Sequence, residues 1–389
     1  MSPRSVIFRT DASVQIGSGH VMRCLTLAEA LRERGAECRF ICRELEGNLL
    51  EQIRHHGFAA TGLPIRPEDD GRADSDTGRG VSTPAGAGLD WAADAAQTKV
   101  SAGGTAVDWL IVDHYALDAR WEQALRPLCH NLMVVDDLAD RQHDCDILLD
   151  QNYYRNQDQR YRGLLPDRCV TLLGPGYVLL RPEFGKARRQ LRMRDGNVKR
   201  ILIFFGGSDP TNLTRQALMA LAQLNKPDIQ VDVIVGPSNP NRHSIEVLCA
   251  ELPGTTYHCN ISNMAELVSR ADLGIGAGGA AMWERCYLGL PTITVVSADN
   301  QLRTTEDVAH LGAIEYLGRS DLAGVDGYAR AIADLLASPQ RVKRISEDAL
   351  AVVPERTTAA VVDGMWNVLQ PASGRSSSGN SCAAMAEPT

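Results

Sequence analysis

The sequence contains no apolar run close to the roughly 20 residues that a membrane-spanning helix needs. Residues Met1 to Arg4 lead directly into a short apolar segment, without the apolar core or cleavage site of a secretory signal. An excess of positive charge is also missing, because 48 acidic residues face 40 basic ones and the net charge is −8. Such a field disfavours nucleic acid and anionic membrane surfaces as partners. We therefore expect a cytoplasmic protein with no nucleic-acid partner and no stable membrane association.

Motifs for metals, nucleoside triphosphates and dinucleotides are missing too. No Walker lysine motif, His-Glu-x-x-His or Cys/His zinc spacing occurs, and the ten cysteines include no Cys-x-x-Cys. Gly17-x-Gly19 lacks the third glycine of the Rossmann pattern. The triplet Asp144-Cys145-Asp146 has the Asp-x-Asp form that holds a divalent metal in some nucleotide-sugar enzymes, but it abuts a strand and is interpreted as a turn cap. The sequence thus predicts no metal and no cofactor.

Short apolar runs alternate with amphipathic segments, which is typical of parallel sheets covered by helices. The runs that predict strands are 6–8, 39–42, 109–112, 132–135, 147–149, 201–205, 231–235, 273–275 and 292–296. The segments that predict helices are 22–34, 47–57, 211–224, 263–270, 280–288 and 339–348. The expected fold is α/β, with two doubly wound Rossmann-like domains that face a central cleft.

The domain boundaries follow from changes in composition. We expect an N-terminal domain over 1–185, with a flexible insertion near 65–105, where small and polar residues show no periodicity apart from one short helix near Trp91. A C-terminal domain is expected over 195–370, and the Ser/Gly/Ala-rich residues 371–389 are expected to be a disordered tail. The sequence does not indicate an oligomeric state.

The segment Ile16 to Arg23 predicts an anion site with a titratable group beside it. It contains Gly17, Ser18, Gly19 and His20 between an apolar run and a helical pattern. A strand, a glycine turn and a helix in this order present free backbone N–H groups and the positive end of a helix dipole. Histidine is the side chain that titrates near neutral pH, so His20 is a candidate general base. The alternative is a tight turn in which the histidine only caps or packs.

Two further glycine turns follow predicted strands. Gly206-Gly207-Ser208-Asp209 opens a helix and can hold a phosphate, although Ser208 or Asp209 can equally be an N-cap. Gly276-Ala277-Gly278-Gly279 allows a ligand to approach the backbone closely, and Glu284 lies five residues further on. A glutamate there can accept both hydroxyls of a ribose or can be a solvated helix charge. Asn300-Gln301 follows the last predicted strand at an edge that is expected to line a cleft.

Several motifs in a fixed order carry a family resemblance over residues 4 to about 310. They are Arg9-Thr10-Asp11 with Ile16-Gly17-Ser18-Gly19-His20-Val21-Met22-Arg23, Val112-Asp113-His114-Tyr115, Asp150-Gln151-Asn152, Gly174-Pro175-x-Tyr177-x-x-Leu180-Arg181-x-Glu183-Phe184, Gly206-Gly207-Ser208-Asp209, and Gly276-Ala277-Gly278-Gly279 with Trp283-Glu284 and Asn300-Gln301. With these motifs the chain resembles the UDP-sugar hydrolases of pseudaminic acid biosynthesis. These enzymes are similar to two-domain glycosyltransferases of the GT-B fold.

The resemblance implies hydrolysis of UDP-2,4-diacetamido-2,4,6-trideoxy-β-L-altropyranose, with the sugar in the N-terminal domain and UDP in the C-terminal domain. By resemblance, His20 is the catalytic base, Tyr115 lies in the sugar site, and Glu284 and Asn300 bind UDP. The remaining residues assigned to substrate binding are Gly17, Ser18, Gly19, Arg23, Asn152, Arg181, Gly206, Gly207, Ser208, Asp209, Gly278, Gly279 and Gln301.

The expected reaction is the attack of water on C1 of the sugar from the face opposite UDP, which predicts inversion. His20 takes the proton of this water, and we expect Asp11 to orient the imidazole ring. Three other functions fit the same residues: a glycosyltransferase that moves a UDP-linked amino sugar to an acceptor, a non-catalytic nucleotide-sugar binding module, and a nucleotide-sugar 2-epimerase. The residues alone do not specify the stereochemistry of the sugar.

Overall fold

A computed structural model describes residues 3–65 and 89–369, and these residues form two parallel β-sheets covered by helices. The strands of the first sheet are Arg4–Thr10 (β1), Ala36–Arg43 (β2), Ala59–Leu63 (β3), Val107–Asp113 (β4), Cys129–Val135 (β5), Ile147–Asp150 (β6) and Val170–Leu173 (β7). Those of the second are Arg200–Phe204 (β8), Gln230–Val235 (β9), Thr255–Cys259 (β10), Leu273–Ala277 (β11), Thr292–Val296 (β12) and Glu315–Arg319 (β13). The predicted α/β architecture is confirmed.

Helices join these strands in both halves. The helices before the second sheet are Gly19–Glu33 (α1), Leu50–His55 (α2), Trp91–Ala102 (α3), Ala119–Leu125 (α4), Gln157–Arg160 (α5) and Pro182–Arg189 (α6). The later ones are Leu213–Leu224 (α7), Arg242–Glu251 (α8), Met264–Arg270 (α9), Ala280–Tyr287 (α10), Asp299–His310 (α11), Ser320–Leu336 (α12), Pro339–Val352 (α13) and Thr358–Val368 (α14). None of the helices in the described part of the chain combines the length and apolar character needed to span a bilayer.

The order of strands places one crevice in each sheet. The first sheet runs β3-β2-β1-β4-β5-β6-β7 and the second β10-β9-β8-β11-β12-β13, with all neighbours parallel. In the first sheet, β2 and β3 are added on one side of β1, and β4 to β7 on its other side. In the second sheet, β9 and β10 are added on one side of β8, and β11 to β13 on its other side. Ligands of open α/β sheets bind at such switch points, beyond the carboxyl ends of the strands. The glycine turns after β1, β8 and β11 all lie at these two points.

Two segments pack in ways that the sequence did not predict. The short helix expected near Trp91 is present as α3 (Trp91–Ala102), but its Asp94 is fully buried against Arg9. The last described helix, α14, lies in the expected C-terminal domain, yet its Val361 and Met365 belong to the same buried cluster as Phe8 of β1. Tertiary burial, which has no local signal in the sequence, decides both cases. The rest of the expected insertion, 66–88, and the expected tail lie outside the described residues.

Candidate active site

The glycine turn after β1 places His20 in the first turn of α1, where it is buried. Ser13 and Gly17 form an isolated bridge, and the backbone of Gly17 has φ +81°, a left-handed conformation that glycine adopts without strain. The hydroxyl of Ser13 accepts a hydrogen bond from the N–H of Ile16 at 2.9 Å. These contacts fix the turn, so the imidazole is presented at the carboxyl edge of the first sheet.

The imidazole of His20 contacts a carboxylate and a guanidinium. Its Nδ1 lies 2.5 Å from Oδ1 of Asp113, the last residue of β4. Arg23, one helical turn after His20, donates to both oxygens of Asp113, from Nε and from Nη2, at 2.6 Å each. Burial alone would raise the pKa of Asp113, but the charges of Arg23 and His20 outweigh it and hold this pKa below its usual range. Asp113 is therefore an ionised, buried carboxylate.

Asp11 does not contact His20, so the expected pairing of these residues is wrong. Its carboxylate accepts hydrogen bonds from both terminal nitrogens of Arg9, at 2.5 and 2.9 Å, and from the backbone N–H of Arg43 at 2.7 Å. His114 also lies 3.2 Å from Oδ2 of Asp11. Burial would raise the pKa of Asp11, but Arg9 and His114 lower it below its usual range. Asp11 thus belongs to a buried ion network under the site rather than to the imidazole.

Tyr115 joins the two halves of the site. Its ring meets the ring of His20 edge-on, with 4.6 Å between the centroids. Nδ2 of Asn300 donates to the Tyr115 hydroxyl at 3.2 Å. Burial raises the pKa of this hydroxyl, and the nearby carboxylate of Asp137 raises it further, so it stays protonated. The structure therefore brings together three predicted residues that lie as much as 280 positions apart in the sequence.

Asn152 also contacts the second half of the chain. Its Oδ1 accepts a hydrogen bond from the indole N–H of Trp283 at 2.9 Å, and both residues are buried. Its Nδ2 lies 3.5 Å from Oδ2 of Asp137, which in turn lies 3.6 Å from Nη1 of Arg23. A chain of polar contacts thus connects α10 to the surroundings of the imidazole.

The turn after β8 lies against the turn after β1. Gly206 has φ +99°, and a side chain at Gly207 would begin 3.6 Å from Oγ of Ser18. Asp209, expected to bind substrate, uses Oδ1 to accept from the backbone N–H of Leu213, at 2.9 Å. Its Oδ2 accepts from the backbone and the hydroxyl of Thr214, at 3.0 and 2.7 Å. The N-cap residue of α7 is therefore Asn212 rather than Ser208 or Asp209, although the Asp209 carboxylate also accepts from the first N–H groups of the helix.

The turn after β11 packs against α11. Gly279 has φ +112°, and a side chain there would begin 3.3 Å from Nε2 of Gln301. At Gly278 a side chain would begin only 2.3 Å from Oγ1 of Thr305. Gln301 itself accepts a hydrogen bond from the backbone N–H of Ser297 at 3.2 Å. These glycines therefore allow the turn and α11 to approach closely, with Gln301 between them.

Glu284 and Arg181, both expected to bind substrate, contact each other. Nη2 of Arg181 donates to Oε1 of Glu284 at 3.1 Å, and Nη1 lies 3.2 Å from Oε1 of Glu183. Burial raises the pKa of Glu284, and Arg181 partly offsets this. About 20% of the Glu284 side chain is exposed. The carboxylate can therefore still be reached from the cleft.

Sequence reasoning missed Asp113, Asp137 and Trp283 as parts of the site. Asp113 and Trp283 lie inside the motifs quoted above, and Asp113 closes a buried strand, which was the available signal. Within residues 3–65 and 89–369, no three His, Cys, Asp or Glu side chains converge as potential metal ligands. Asp144 and Asp146 instead pair with Arg168 and Arg126.

Residues 201–356 match the family model described as the glycosyltransferase family 28 C-terminal domain. An uncharacterized protein of Methanocaldococcus jannaschii is 27% identical over 306 residues, which cover 77% of this chain and 57% of the relative. The UDP-2,4-diacetamido-2,4,6-trideoxy-β-L-altropyranose hydrolase of Campylobacter jejuni is 25% identical over 312 residues, which cover 80% of this chain and 98% of that enzyme.

The fold is shared with a solved glycosyltransferase structure. MurG of Acinetobacter baumannii matches with a TM-score of 0.62 and 16% sequence identity, covering 94% of this chain and 100% of that one. Identity at this level shows the GT-B architecture and nothing about the substrate. Three observations point to the same group of proteins: the sequence motifs, the placement of their residues at the two switch points, and the alignment over most of the chain. The chain is therefore similar over most of its length to the UDP-2,4-diacetamido-2,4,6-trideoxy-β-L-altropyranose hydrolase and has the GT-B fold.

Proposed function

We propose that this protein hydrolyses a UDP-linked sugar, UDP-2,4-diacetamido-2,4,6-trideoxy-β-L-altropyranose, to UDP and the free sugar in pseudaminic acid biosynthesis. The observation that carries the proposal is the His20 imidazole at the switch point of the first sheet, held through Nδ1 by Asp113. Its other nitrogen, Nε2, makes no hydrogen bond with the described residues. A histidine held through one nitrogen and unbonded at the other is suited to be a general base. The name of the Campylobacter relative supports the choice of substrate.

The C-terminal half would hold the nucleotide. The backbone N–H groups of the Gly206–Ser208 turn would hold the diphosphate, because the N–H groups of Leu213, Thr214 and Arg215 at the start of α7 are already bonded to the side chains of Asp209 and Asn212. Glu284 would accept hydrogen bonds from the ribose hydroxyls, either in place of its contact with Arg181 or in addition to it. Binding of these remote groups orients the anomeric carbon without being part of the reaction itself.

The N-terminal half would carry out the reaction. A water molecule attacks C1 from the face opposite UDP while Nε2 of His20 takes its proton. The electron pair of the C1–O bond leaves with the β-phosphate, so UDP departs and the sugar is formed with inverted configuration. Backbone N–H groups of the turn after β8 stabilise the negative charge on the departing diphosphate. Tyr115, which is protonated, would donate a hydrogen bond to the sugar.

A glycosyltransferase that moves the UDP-linked sugar to an acceptor is the second candidate. The match to the glycosyltransferase family 28 C-terminal domain favours it. An acceptor hydroxyl needs the same base and the same nucleotide contacts as water does. The two functions differ only in which hydroxyl reaches C1, so the presence or absence of an acceptor in the assay separates them.

The test is release of UDP from the UDP-sugar alone, followed with a coupled UDP assay. We expect turnover without acceptor, and His20→Asn should lower kcat by about 10²–10⁴-fold. His243→Asn, at an exposed histidine of α8, is the matched control and should leave kcat unchanged. Turnover that requires an added acceptor would support the transferase instead. Binding of the UDP-sugar without any turnover would show that the protein is a non-catalytic binding module.

A further inference from the structure

Arg285 of α10 is buried in the second half of the chain with too few partners for its guanidinium. Only 3% of the residue is exposed. Its Nη2 donates to the carbonyl oxygen of Ala277 at 2.6 Å, whereas its Nε and Nη1 donate to none of the described residues. No carboxylate within residues 3–65 and 89–369 forms an ion pair with it, and the adjacent Glu284 contacts Arg181 instead. A full positive charge is thus enclosed with two of its three nitrogens unpaired.

Arg194 shows how the same half of the chain satisfies a buried arginine that only stabilises the fold. Its three nitrogens donate at 2.6–2.9 Å to backbone carbonyl oxygens, which are those of Val268, Ala271, Leu288 and Gly289. Burial lowers the pKa of both Arg194 and Arg285 to about 10, so both are still charged at neutral pH. The two arginines differ in the donors that Arg285 leaves unused. A buried charge with unused donors destabilises the protein unless a partner supplies the missing interaction.

The unpaired end of Arg285 lies at the switch point of the second sheet. A side chain at Gly276, in β11, would begin 2.9 Å from Nη1 of Arg285 and would also overlap the carbonyl oxygen of Phe204. Gly276 is paired with Phe204, the last residue of β8, and the Gly206–Ser208 turn begins two residues further on. Since a strand rises about 3.3 Å per residue, the guanidinium lies within roughly 10 Å of this turn. Glycine at position 276 leaves this space to Arg285.

We propose that Arg285 is the fixed positive charge of the nucleotide site, and that the diphosphate of a bound UDP supplies the negative charge that its guanidinium lacks. The identity of the nucleotide rests on the proposed function. The guanidinium acts through space rather than by contact, because its unpaired nitrogens are buried. In a protein interior the attraction between a fixed cation and a diphosphate is screened far less than in water. Arg285 therefore favours a nucleoside diphosphate over the uncharged nucleoside.

The experiment compares UDP with uridine, which is the same ligand without its phosphates. The affinity for UDP is measured by calorimetry, and that for uridine by its competition with UDP. Arg285→Met keeps a long side chain and removes the charge, so we expect UDP to bind about 10- to 100-fold more weakly and uridine to change less than about threefold. Arg330→Met is the matched control, because it removes the same charge from an exposed position of α12. It should change both affinities less than about twofold.

The melting temperature of the unliganded protein separates this role from a purely structural one. Arg285→Met removes an unpaired buried charge, which offsets the lost bond to Ala277, so the variant should melt within about 3 °C of the wild type. Arg194→Met loses the bonds to all four carbonyl oxygens and should melt at least about 5 °C lower. An Arg285→Met protein that fails to fold, or melts as low as Arg194→Met, would show that Arg285 only stabilises the fold and would overturn the proposal.

The binding data have outcomes that would overturn the proposal as well. These are an unchanged affinity of Arg285→Met for UDP, and equal losses of affinity for UDP and uridine. A structure of the wild-type complex with UDP in which the diphosphate lies more than about 12 Å from the guanidinium would do so without any variant. If the UDP-sugar were not hydrolysed but Arg285→Met still lost affinity for UDP alone, the proposed hydrolysis would fail while the role of Arg285 stood.

Discussion

Replacing Gly236 by alanine tests the proposed diphosphate turn through a residue that contacts this turn. Gly236 follows β9, and a Cβ there would lie 2.1 Å from the carbonyl oxygen of Gly207 and 2.6 Å from its Cα. Backbone atoms cannot swing away as a flexible side chain does, and such contacts are not tolerated below about 3 Å. The turn around Gly207 would have to move by about 1 Å.

The size of this displacement determines how much affinity for UDP we expect the variant to lose. A misplacement of about 1 Å in a preorganised site can cost about 10²-fold, which corresponds to about 2.7 kcal/mol. We therefore expect Gly236→Ala to weaken binding of UDP by roughly 10- to 100-fold in isothermal titration calorimetry.

Gly327→Ala is the control for the same substitution in the same half of the chain. A Cβ at Gly327, in α12, would meet only Cδ1 of Leu317 at 3.9 Å, which is ordinary contact. It should leave the affinity for UDP unchanged and stabilise the helix by about 0.5–1 kcal/mol. A folded Gly236→Ala protein that binds UDP as tightly as the wild type would show that the Gly206–Ser208 turn does not hold the diphosphate.

Three further predictions concern single side chains. Glu284→Gln should weaken UDP binding about 10- to 100-fold, measured by calorimetry, because a charged hydrogen-bond acceptor for the ribose is lost. Trp283→Phe removes the donor to Asn152 and should lower the free energy of unfolding in urea by about 1–3 kcal/mol, since a buried acceptor is left unpaired. Burial raises the pKa of Asp150 to about 7. The folded protein therefore keeps a proton there that the unfolded chain loses near pH 4, so wild-type stability should fall relative to Asp150→Asn as pH rises from about 4 to 7, measured by calorimetry.

Each of these predictions has a result that contradicts it. Unchanged UDP affinity in Glu284→Gln would show that Glu284 does not bind the ribose. A Trp283→Phe protein as stable as the wild type would mean that Asn152 finds another donor. Parallel stability curves of the wild type and Asp150→Asn between pH 4 and 8 would show that Asp150 is ionised throughout this range.

The sequence predicted the elements that have strong local signals. Central strands such as β1 and β4 are buried on both faces and read as continuous apolar runs. The glycine turns marked the carboxyl ends of β1, β8 and β11, because positive φ and close backbone approach require glycine there. Edge strands such as β3 and β10 were missed, since their residues are half exposed and carry no apolar run.

The partner of His20 could not be predicted, because it depends on which strands are neighbours. Asp11 follows β1 and Asp113 ends β4, so both lie at the same edge of the sheet. Only the structure shows that Asp11 is bonded to Arg9 and Arg43, and that Asp113 is the carboxylate that contacts His20. Ion pairs between distant segments have no periodicity that a sequence can show.

The most direct test of the account follows the oxygen atom of water during turnover. The protein is incubated with the UDP-sugar in water enriched in oxygen-18, and the released UDP is examined by phosphorus-31 NMR. Attack on C1 with proton transfer to His20 predicts UDP without label and a first-formed sugar of inverted configuration by proton NMR. Label in the β-phosphate of UDP would place the attack on phosphorus and contradict the account.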